Sequence, residues 1–555
     1  MPPTTDTPAP TDVVTHTRDA AEVRGRDMGP SGSHARAMTP LDALSLRLAA
    51  LAGVLAAGLT LALAHLVAGL VSPGSAPVVA VGDAFVDVVP AWLKDLAIAT
   101  FGVNDKTALL VGMGLVLAVL AALAGVLALR NRAAGSAAVL ALGTLGAVAA
   151  ATRPDAPALA VAPSLVGTAA GILALRMLVD RIDGRRAASA RPAPTSGADR
   201  RSFLTAAVVV TVTAAVAVAA GSVAGGVSRT ARAARDLLRL PRPARTAPPV
   251  PPGARSTTSG VVDVITPNSE FYRIDTALTV PQVDPSTWEL RVSGLVEQEV
   301  TLTFEALLAE DLVEAYVTLA CVSNPVGGDL IGNALWLGLP VREVLARARP
   351  LAGADMVLSR SVDGFTASTP LGVLTDDRDA LLAVGMNGEP LPLAHGFPVR
   401  LVVPGLYGYV SATKWVTELR VTRFADEEAY WTQRGWSALG PVKTSSRIEV
   451  PRRGAQVDAG PVAVGVTAWA PHTGISAVEV QVDDGPWSTA TLGDEISVDT
   501  WRQWSWTWDA EPGEHVLRVR ASDATGETQT SQAADVIPDG ATGWHEVTVD
   551  VRERG

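Results

Sequence analysis

Cys321 is the single cysteine in a chain of 555 residues, and its surroundings are those of a metal ligand. It follows the short apolar run "AYVTLA", which is typical of a buried strand, and it precedes the loop "NPVGGDLIGN". A soft thiolate suits a soft or high-valent metal, but one thiolate alone cannot hold a metal tightly. We therefore expect the other ligands to come from a cofactor. A buried structural cysteine is the alternative.

The cysteine and histidine content limits which disulfides, metal sites and haems the chain could contain. One cysteine excludes an intrachain disulfide and any Cys-rich zinc or iron–sulfur site. The sequence contains no C-x-x-C-H haem motif and no flavin motif. His65 is the only histidine in an apolar stretch, whereas a membrane b-type haem usually needs two facing histidines. We therefore expect electrons to enter or leave through a partner.

Three further residues point to an anionic, phosphate-bearing cofactor. Arg400 in "HGFPVRLVVPG" lies beside a predicted buried strand, where an unpaired guanidinium is costly and a phosphate would satisfy it. His395 precedes a glycine and is expected in a turn. Lys414 in "SATKWV" follows a Tyr/Gly loop whose backbone amides could also contact phosphate. Each has a structural alternative, such as a turn former or a solvated lysine.

Five segments, in order, resemble the molybdopterin domain of the sulfite oxidase family over about residues 261–425. They are "TPNSEFYRIDTAL", "TLACVSNPVGGDLIGNALWLG", "DGFTASTPL", "LLAVGMNGEPLPLAHGFPVRLVVPGLYGY" and "TKWV". The resemblance implies that Cys321 ligates molybdenum, together with two dithiolene sulfurs of one pyranopterin and terminal oxo groups. It also implies five cofactor contacts: Asn268, Tyr272, His395, Arg400 and Lys414. Ser361 is a further, weaker candidate.

The substrate is less well defined by the resemblance. Arg273 in "FYRID" matches the arginine that binds the oxyanion in sulfite oxidases, and a positive group there fits oxyanion chemistry. Phe365 in "FTASTP" stands where sulfite oxidases have a tyrosine, and "CVSN" replaces the arginine-rich "CAGNRR". These departures put sulfite in doubt. They leave open a reductase of an S- or N-oxide, or an enzyme for another small oxyanion.

The N-terminal half is predicted to be a membrane region. Residues 1–245 carry 23 Lys and Arg against 15 Asp and Glu, whereas residues 246–555 carry 22 against 41. The acidic second half argues against nucleic-acid binding. Residues 81–102 contain three Asp and one Lys, which indicates an interfacial segment. Five apolar stretches, each of about the ~20 residues that span a bilayer, lie near 48–71, 107–129, 133–151, 157–178 and 203–226.

The arginine distribution predicts the orientation of this membrane region. Arginines concentrate between the second and third stretches and between the fourth and fifth, so the N-terminus is expected in the cytoplasm and the chain beyond residue 227 outside it. "DRRSFLTAAVVV", with Arg200 and Arg201, resembles a twin-arginine export signal. Ordinary positive-inside flanking is the alternative. The predicted location is a bacterial cell membrane, multi-pass, with the catalytic part extracytoplasmic.

The C-terminal segment is predicted to be all-β, because alternating strands are separated by Gly, Asp and Pro turns. Trp504, Trp506 and Trp508 fall on one strand face, as sandwich-core residues would. The segment resembles the immunoglobulin-like dimerisation domain of sulfite oxidases, which leaves a homodimer open. The predicted organisation is a disordered cytoplasmic tail (1–41), an all-α transmembrane region (42–227), an extended Pro/Arg-rich linker (228–260), an α+β molybdopterin domain (261–425) and an immunoglobulin-like sandwich (440–555).

Together these features predict a membrane-anchored, extracytoplasmic molybdenum-cofactor oxidoreductase that performs oxo transfer on a small oxyanion or an S-/N-oxide. A partner would carry its electrons. The rival hypothesis is an anchored binding protein that kept the fold but lost the metal.

Overall fold

The structure is a computed structural model that describes residues 43–89, 93, 100, 105–153, 156–189, 198–224 and 226–554. The predicted cytoplasmic tail (1–41) lies outside the described residues, as does most of the later half of the predicted interfacial segment. The earlier half of that segment is helical.

The N-terminal region is helical, and several of its helices are long and apolar enough to cross a bilayer. The helices are α1 (Ala43–Val71), α2 (Pro77–Val88), α3 (Asp105–Arg130), α4 (Arg132–Ala151), α5 (Ala162–Ser189), α6 (Ala198–Ala224) and α7 (Gly226–Leu237). Among the described residues, α1, α3, α4, α5 and α6 are long and apolar enough to span a membrane. The predicted fourth stretch started too early, at 157. Residues 157–161 form turns, and α5 begins with Pro163 in its first turn, where proline is tolerated.

Small residues let the helices of this bundle approach backbone to backbone. A Cβ atom added at Gly53 of α1 would lie 1.9 Å from the carbonyl oxygen of Ala121 in α3. One added at Gly125 would lie 2.0 Å from the carbonyl oxygen of Ala49. Such glycines replace side-chain packing with direct backbone contact, as is common where helices associate in lipid.

The predicted spacer of residues 228–260 is wrong in part, because this segment does not lift the catalytic region away from the helices. Residues up to Leu237 belong to α7, and Arg235 there donates to the carbonyl of Leu391 (2.9 Å) and to Glu389 (3.0 Å) of the catalytic region. Farther along, Arg245 forms a β-bridge with Val313. The basic side chains find acidic and carbonyl partners on the acidic catalytic region, so the segment lies against it.

The central region contains one mixed sheet and one antiparallel sheet, with short helices. The strands of the first sheet, in spatial order, are β2 (Val300–Thr303), β1 (Glu289–Gly294), β10 (Val416–Thr422), β5 (Met356–Ser361) and β6 (Thr366–Pro370). Those of the second are β3 (Val313–Ala320), β4 (Ile331–Pro340), β7 (Leu381–Met386) and β8 (Glu389–Pro390), with β9 (Arg400–Val402) also paired to β7. The helices are α8 (Phe304–Leu308), α9 (Val341–Ala348), α10 (Leu371–Thr375) and α11 (Gly408–Ser411). Trp336, Trp415 and Phe397 are among its largest fully buried side chains.

The C-terminal region is a two-sheet β-sandwich, as predicted. One sheet is β11 (Ser445–Val450), β13 (Gly460–Trp469), β17 (Arg502–Ala510) and β16 (Thr491–Leu492). The other is β12 (Ala455–Asp458), β19 (His545–Arg552), β18 (Gly513–Asp523), β14 (Ile475–Val482) and β15 (Ser488–Thr489). Trp504 and Trp508 are buried in its core and Trp506 packs partly buried against it, so the tryptophans of β17 are core residues.

The sandwich packs directly behind the strand that leads to Cys321. The backbone N–H of Trp501 donates to Thr318 Oγ1 (2.8 Å), and its indole N–H donates to the carbonyl of Val264 (2.8 Å). Arg447 donates to the carbonyl of Gly328 in the loop after the cysteine (2.5 Å). Both ends of the cysteine segment are therefore held by the C-terminal region.

Candidate active site

Cys321 lies where β3 and β4 stop pairing as an antiparallel ladder, at the Ala320–Ile331 pair. Its N–H donates to the carbonyl of Leu330 (2.9 Å), and its carbonyl accepts from the N–H of Asn324 (3.1 Å). The side chain is only 9% exposed, and burial raises the pKa of the thiol even though hydrogen bonds with Ser323 oppose this. Because a metal-bound cysteine is a thiolate, ligation would displace this proton.

A pocket beside Cys321 gathers most of the residues that the sequence predicted as cofactor contacts. Five of the six line the same wall: Tyr272, Ser361, His395, Arg400 and Lys414. Burial raises the pKa of Tyr272, and the nearby Cys321 adds to that rise. The tyrosine hydroxyl therefore stays neutral and available as a hydrogen-bond donor.

Arg400 opens β9 and is 5% exposed, so its guanidinium is buried as predicted. It donates only to backbone carbonyls, those of His395 (3.2 Å), Leu401 (3.3 Å) and Ala412 (3.4 Å), and it lies over the ring of Trp336. Among the described residues, no carboxylate pairs with it. Burial lowers its pKa to about 10. A buried cation held only by long bonds to neutral acceptors suits an anionic ligand.

Lys414 is also buried, at 9% exposure, which excludes the alternative of a solvated lysine. Its Nζ donates to Asp275 Oδ2 (2.6 Å) and lies 4.8 Å from the ring centre of Trp415. Burial lowers its pKa to about 8, although the carboxylate of Asp275 acts to raise it. Lys414 is therefore a cation that lines the pocket and whose charge is partly offset by Asp275.

His395 ends a short 3-10 turn (Leu393–His395) that Gly396 closes at φ +110°, as the sequence predicted. Burial, together with the charges of Arg400 and Lys414, lowers the imidazole pKa to about 4. The ring is thus neutral near pH 7. Its Nε2 lies 3.2 Å from the carbonyl oxygen of Asn268.

Two predicted residues do not line the pocket. The side-chain amide of Asn268 donates to Glu389 Oε1 (2.7 Å) and accepts from Asn387 (2.8 Å). Only the backbone carbonyl of Asn268 contacts a residue of the pocket, namely His395. Arg273 donates from Nε to Asp275 Oδ2 (2.8 Å) and is absent from the pocket wall. The carboxylate of Asp275, which played no part in the prediction from sequence, holds this guanidinium away from the pocket wall.

Asp275 is the centre of this charge cluster and lines the pocket with 5% of its side chain exposed. Burial acts to raise its pKa, but Lys414, Lys106 and Arg273 together lower it well below its usual range. Lys106, near the start of α3, contacts the carboxylate directly and also donates to the carbonyl of Ala277 (2.6 Å). A helix of the apolar N-terminal bundle thus contributes a charge next to the pocket. The sequence could not predict Lys106, since 169 positions separate it from Asp275.

The outer wall of the pocket is aromatic. Phe365, Tyr409, Trp431 and Trp436 line it, next to Ser323 of the cysteine loop. The last two tryptophans lie beyond residue 425, where the sequence argument ended the domain. They carried no cofactor motif, so only their position in the fold reveals them.

The donors fit a molybdenum-pyranopterin cofactor. Among the described residues, no group of three or more His, Cys, Asp or Glu side chains could hold a metal by itself, so the remaining ligands must accompany the metal. Cys321 would supply the protein thiolate, while Arg400 and Lys414 would hold the anionic part and Tyr272 and His395 its polar edges. When bound, the cofactor supplies two-electron oxo transfer.

Comparison with known proteins also indicates a molybdopterin-dependent oxidoreductase. The sequence profile of the oxidoreductase molybdopterin binding domain matches residues 277–431, and that of the bacterial Ig domain matches residues 445–549. Sulfite oxidase of Gallus gallus is 30% identical over 49% of this chain and 69% of its own length. The uncharacterized oxidoreductase YuiH of Bacillus subtilis is 31% identical over 34% of this chain and 87% of its own.

The matched length varies among these relatives. The chain spans 55 to 62% of the length of the mammalian sulfite oxidases. Among solved structures, the sulfane dehydrogenase SoxCD of Paracoccus pantotrophus aligns with 52% of this chain and 81% of its own, at 24% identity and a TM-score of 0.46. The described pocket and the sequence matches to chicken and Bacillus proteins agree on one assignment: the chain belongs to the sulfite oxidase family of molybdopterin-dependent oxidoreductases.

Proposed function

We propose that this chain is a membrane-anchored, extracytoplasmic enzyme that transfers an oxo group to or from a small oxyanion or an S-/N-oxide. The observation that carries the proposal is the meeting of Cys321 with the buried cations Arg400 and Lys414 in one pocket. That pocket lies next to the helix ends of an apolar bundle, with Lys106 of α3 in contact with its Asp275.

The arrangement of the helices supports the anchored, extracytoplasmic part of the proposal. Five apolar helices alternate in direction, so the end of α1 and the start of α3 lie at one end of the bundle, next to the catalytic region. The opposite end carries Arg130 and Arg132, and Arg132 pairs there with Asp183 (2.9 Å). The positive-inside rule assigns the arginine-rich end to the cytoplasm.

The pocket favours a neutral oxide over sulfite. Asp275 neutralises part of the charge of Arg273, and the cysteine loop has Pro325 and Val326 where the sulfite oxidase motif "CAGNRR" has its two arginines. Phe365 and Trp436 add an apolar wall. A dianion gains less from such a wall than the neutral methyl or methylene groups of an S- or N-oxide do.

The residues of the chain have separate roles in this scheme. Tyr272 offers a hydrogen-bond donor at the edge of the pocket, whereas neutral His395 donates from Nε2 to the carbonyl of Asn268 and offers Nδ1 as an acceptor. Arg400 holds negative charge without losing its proton. Asp275 is a positioning residue, since it fixes Arg273 and Lys414 by short ion pairs. The aromatic wall excludes water from the reacting oxygen.

The metal content of the purified full-length chain tests the enzyme assignment. We expect about one molybdenum per wild-type chain and near-zero molybdenum in Cys321→Ala, with unchanged helical content in the circular dichroism spectrum. Wild-type protein without molybdenum, after expression in a host that makes the cofactor, would refute the proposal.

A substrate panel with a soluble redox dye tests the preferred substrate. The panel is sulfite, nitrate, methionine sulfoxide and trimethylamine N-oxide, each assayed with dye as electron donor or acceptor. We expect higher kcat/KM for the neutral oxides than for the anions. The opposite order would show that Arg273 is free to bind an oxyanion in the working enzyme.

The export route and the oligomeric state are separate parts of the proposal. Replacing Arg200 and Arg201 together by lysine should stop translocation of the C-terminal half if the twin-arginine pathway carries it, as measured by protease protection in spheroplasts. The resemblance of the C-terminal sandwich to a dimerisation domain favours a homodimer, which mass measurement of the detergent-solubilised chain tests directly.

A further inference from the structure

A second, larger cavity lies between the membrane helices and the catalytic region. Its volume is about 1540 Å³. One wall is formed by the helix ends, with His65 of α1, Val79 and Asp83 of α2, and Arg153 just after α4. The other wall is formed by residues 276–284 and 426–434 and parts of β5 and β6. A ligand there would lie at the depth where the apolar helices end.

Specific contacts hold these two walls together. Lys106 of α3 binds Asp275 and the carbonyl of Ala277. The side chain of Leu278 fills the space over Gly82 of α2, where an added Cβ atom would lie 2.6 Å from Leu278 Cδ1. The cavity is therefore a defined space between packed elements.

The cavity and the cofactor pocket share part of their walls. Thr276, Asp363 and Phe365 line both. An occupant of either space would contact this shared layer of residues. Electrons could therefore pass between the two occupants through that layer.

The electron requirement of the reaction suggests what occupies the cavity. Each oxo transfer moves two electrons, and the sequence contains neither a haem-attachment nor a flavin motif. A quinone accepts two electrons and two protons to become a quinol, and both forms reside in the bilayer. The overall reactions balance as quinol plus oxide giving quinone, reduced product and water, or as the reverse.

We propose that this cavity binds a membrane quinone, which exchanges electrons directly with the molybdenum site. The inference rests on the proposed membrane-anchored function. The helix wall offers groups suited to the quinone oxygens and their protons, namely His65 and the Asp83–Arg153 ion pair (2.9 Å). Arg360 on the catalytic wall offers a further donor. The isoprenoid tail would extend between the helix ends into lipid.

Quinone retention by the full-length holoprotein in nanodiscs tests this proposal. The measurement is bound decylubiquinone per protein, above the level in empty nanodiscs, by extraction and absorbance. We expect Val79→Trp and Thr287→Trp, which fill the cavity from opposite walls, each to lower retention at least tenfold. His65→Leu should lower it several-fold. The matched control is Val116→Trp on α3, whose side chain is 59% exposed on the outer face of the bundle and which should leave retention unchanged.

A second readout separates quinone binding from catalysis. In Val79→Trp we expect unchanged molybdenum content and unchanged turnover with a soluble dye, together with loss of turnover coupled to decylubiquinol. Equal retention by wild type, Val79→Trp and Thr287→Trp would overturn the quinone site while leaving the oxidoreductase intact. Wild-type protein without molybdenum would instead overturn the proposed function, and the inference with it.

Discussion

Two regions of the chain contact the cofactor pocket from different sides, one mainly through ion pairs and the other mainly through hydrogen bonds. On the membrane side, Lys106 and Asp275 meet as part of a cluster of charges. On the sandwich side, Thr318 and Trp501 meet through neutral, buried hydrogen bonds that fix the strand before Cys321, and Arg447, whose charge is paired with Glu449, holds the loop after it. Charges placed near a reacting group change its electrostatics, whereas neutral bonds to backbone set geometry alone. We therefore expect the helix side to adjust the chemistry of the pocket and the sandwich side to support Cys321.

The largest expected effect comes from removing the centre of the charged flank. Asp275→Asn leaves Arg273, Lys106 and Lys414 without their shared carboxylate, and breaking a buried ion pair costs about 3–5 kcal/mol. We expect a loss of this size in the free energy of unfolding, from urea titration followed by tryptophan fluorescence. The control is Asp263→Asn, an exposed carboxylate, which should change it by less than about 0.5 kcal/mol. Equal small effects of both would contradict a stabilising cluster.

Acid should act on both flanks, because His395 on one is buried and neutral and His545 on the other is half-buried and neutral. Burial lowers the pKa of His395 to about 4 on one flank and that of His545 to about 4 on the other. The unfolded chain binds these protons near pH 6.5, so stability is complete above that pH and is lost as pH falls from 6.5 to 4. The loss is up to about 3 kcal/mol for each histidine. In the Cys321→Ala background, His395→Gln and His545→Gln should each flatten this part of the pH profile, and an unchanged profile would contradict the assignment.

The neutral flank is tested by the hydroxyl of Thr318, which accepts from the N–H of Trp501 and donates to Asn333 Oδ1 (3.1 Å). Thr318→Val keeps the shape but leaves both partners unsatisfied, at a cost of about 1–3 kcal/mol. Thr318→Ser keeps the hydroxyl and should retain most of that stability. If the sandwich flank only supports geometry, the ranking of substrates in the panel stays the same in both variants.

The smallest loss of stability is expected for Lys106, the charge that an N-terminal helix contributes to the cluster. Lys106→Met removes a partly exposed cation while Arg273 and Lys414 still hold Asp275, so the stability loss should be about 1 kcal/mol or less. The KM for anionic substrates should rise more than the KM for neutral oxides. Lys106→Arg keeps the charge and should behave like wild type. Identical KM shifts for both substrate classes would indicate a purely structural contact.

Local sequence patterns predicted much of the site. The apolar run before Cys321 predicted β3, the glycine after His395 predicted its turn, and the run around Arg400 predicted a buried strand. These features depend on neighbours within a few residues, where backbone propensity and burial act. The resemblance then added their shared cofactor. Local pattern did not indicate where the guanidinium of Arg273 lies, because that depends on its ion pair with Asp275, two residues away.

The amino-acid sequence by itself determined the apolar helices, the family motifs and the unique thiol, because these depend on composition and short-range order. Tertiary structure alone decided which charges share a space. Lys106 and Asp275 are far apart in sequence, and only the packing of α3 beneath the catalytic region brings them together. The same packing encloses the cavity between His65 and the residues that face it. Coulombic interactions and enclosed volumes depend on distance in space, which no local pattern encodes.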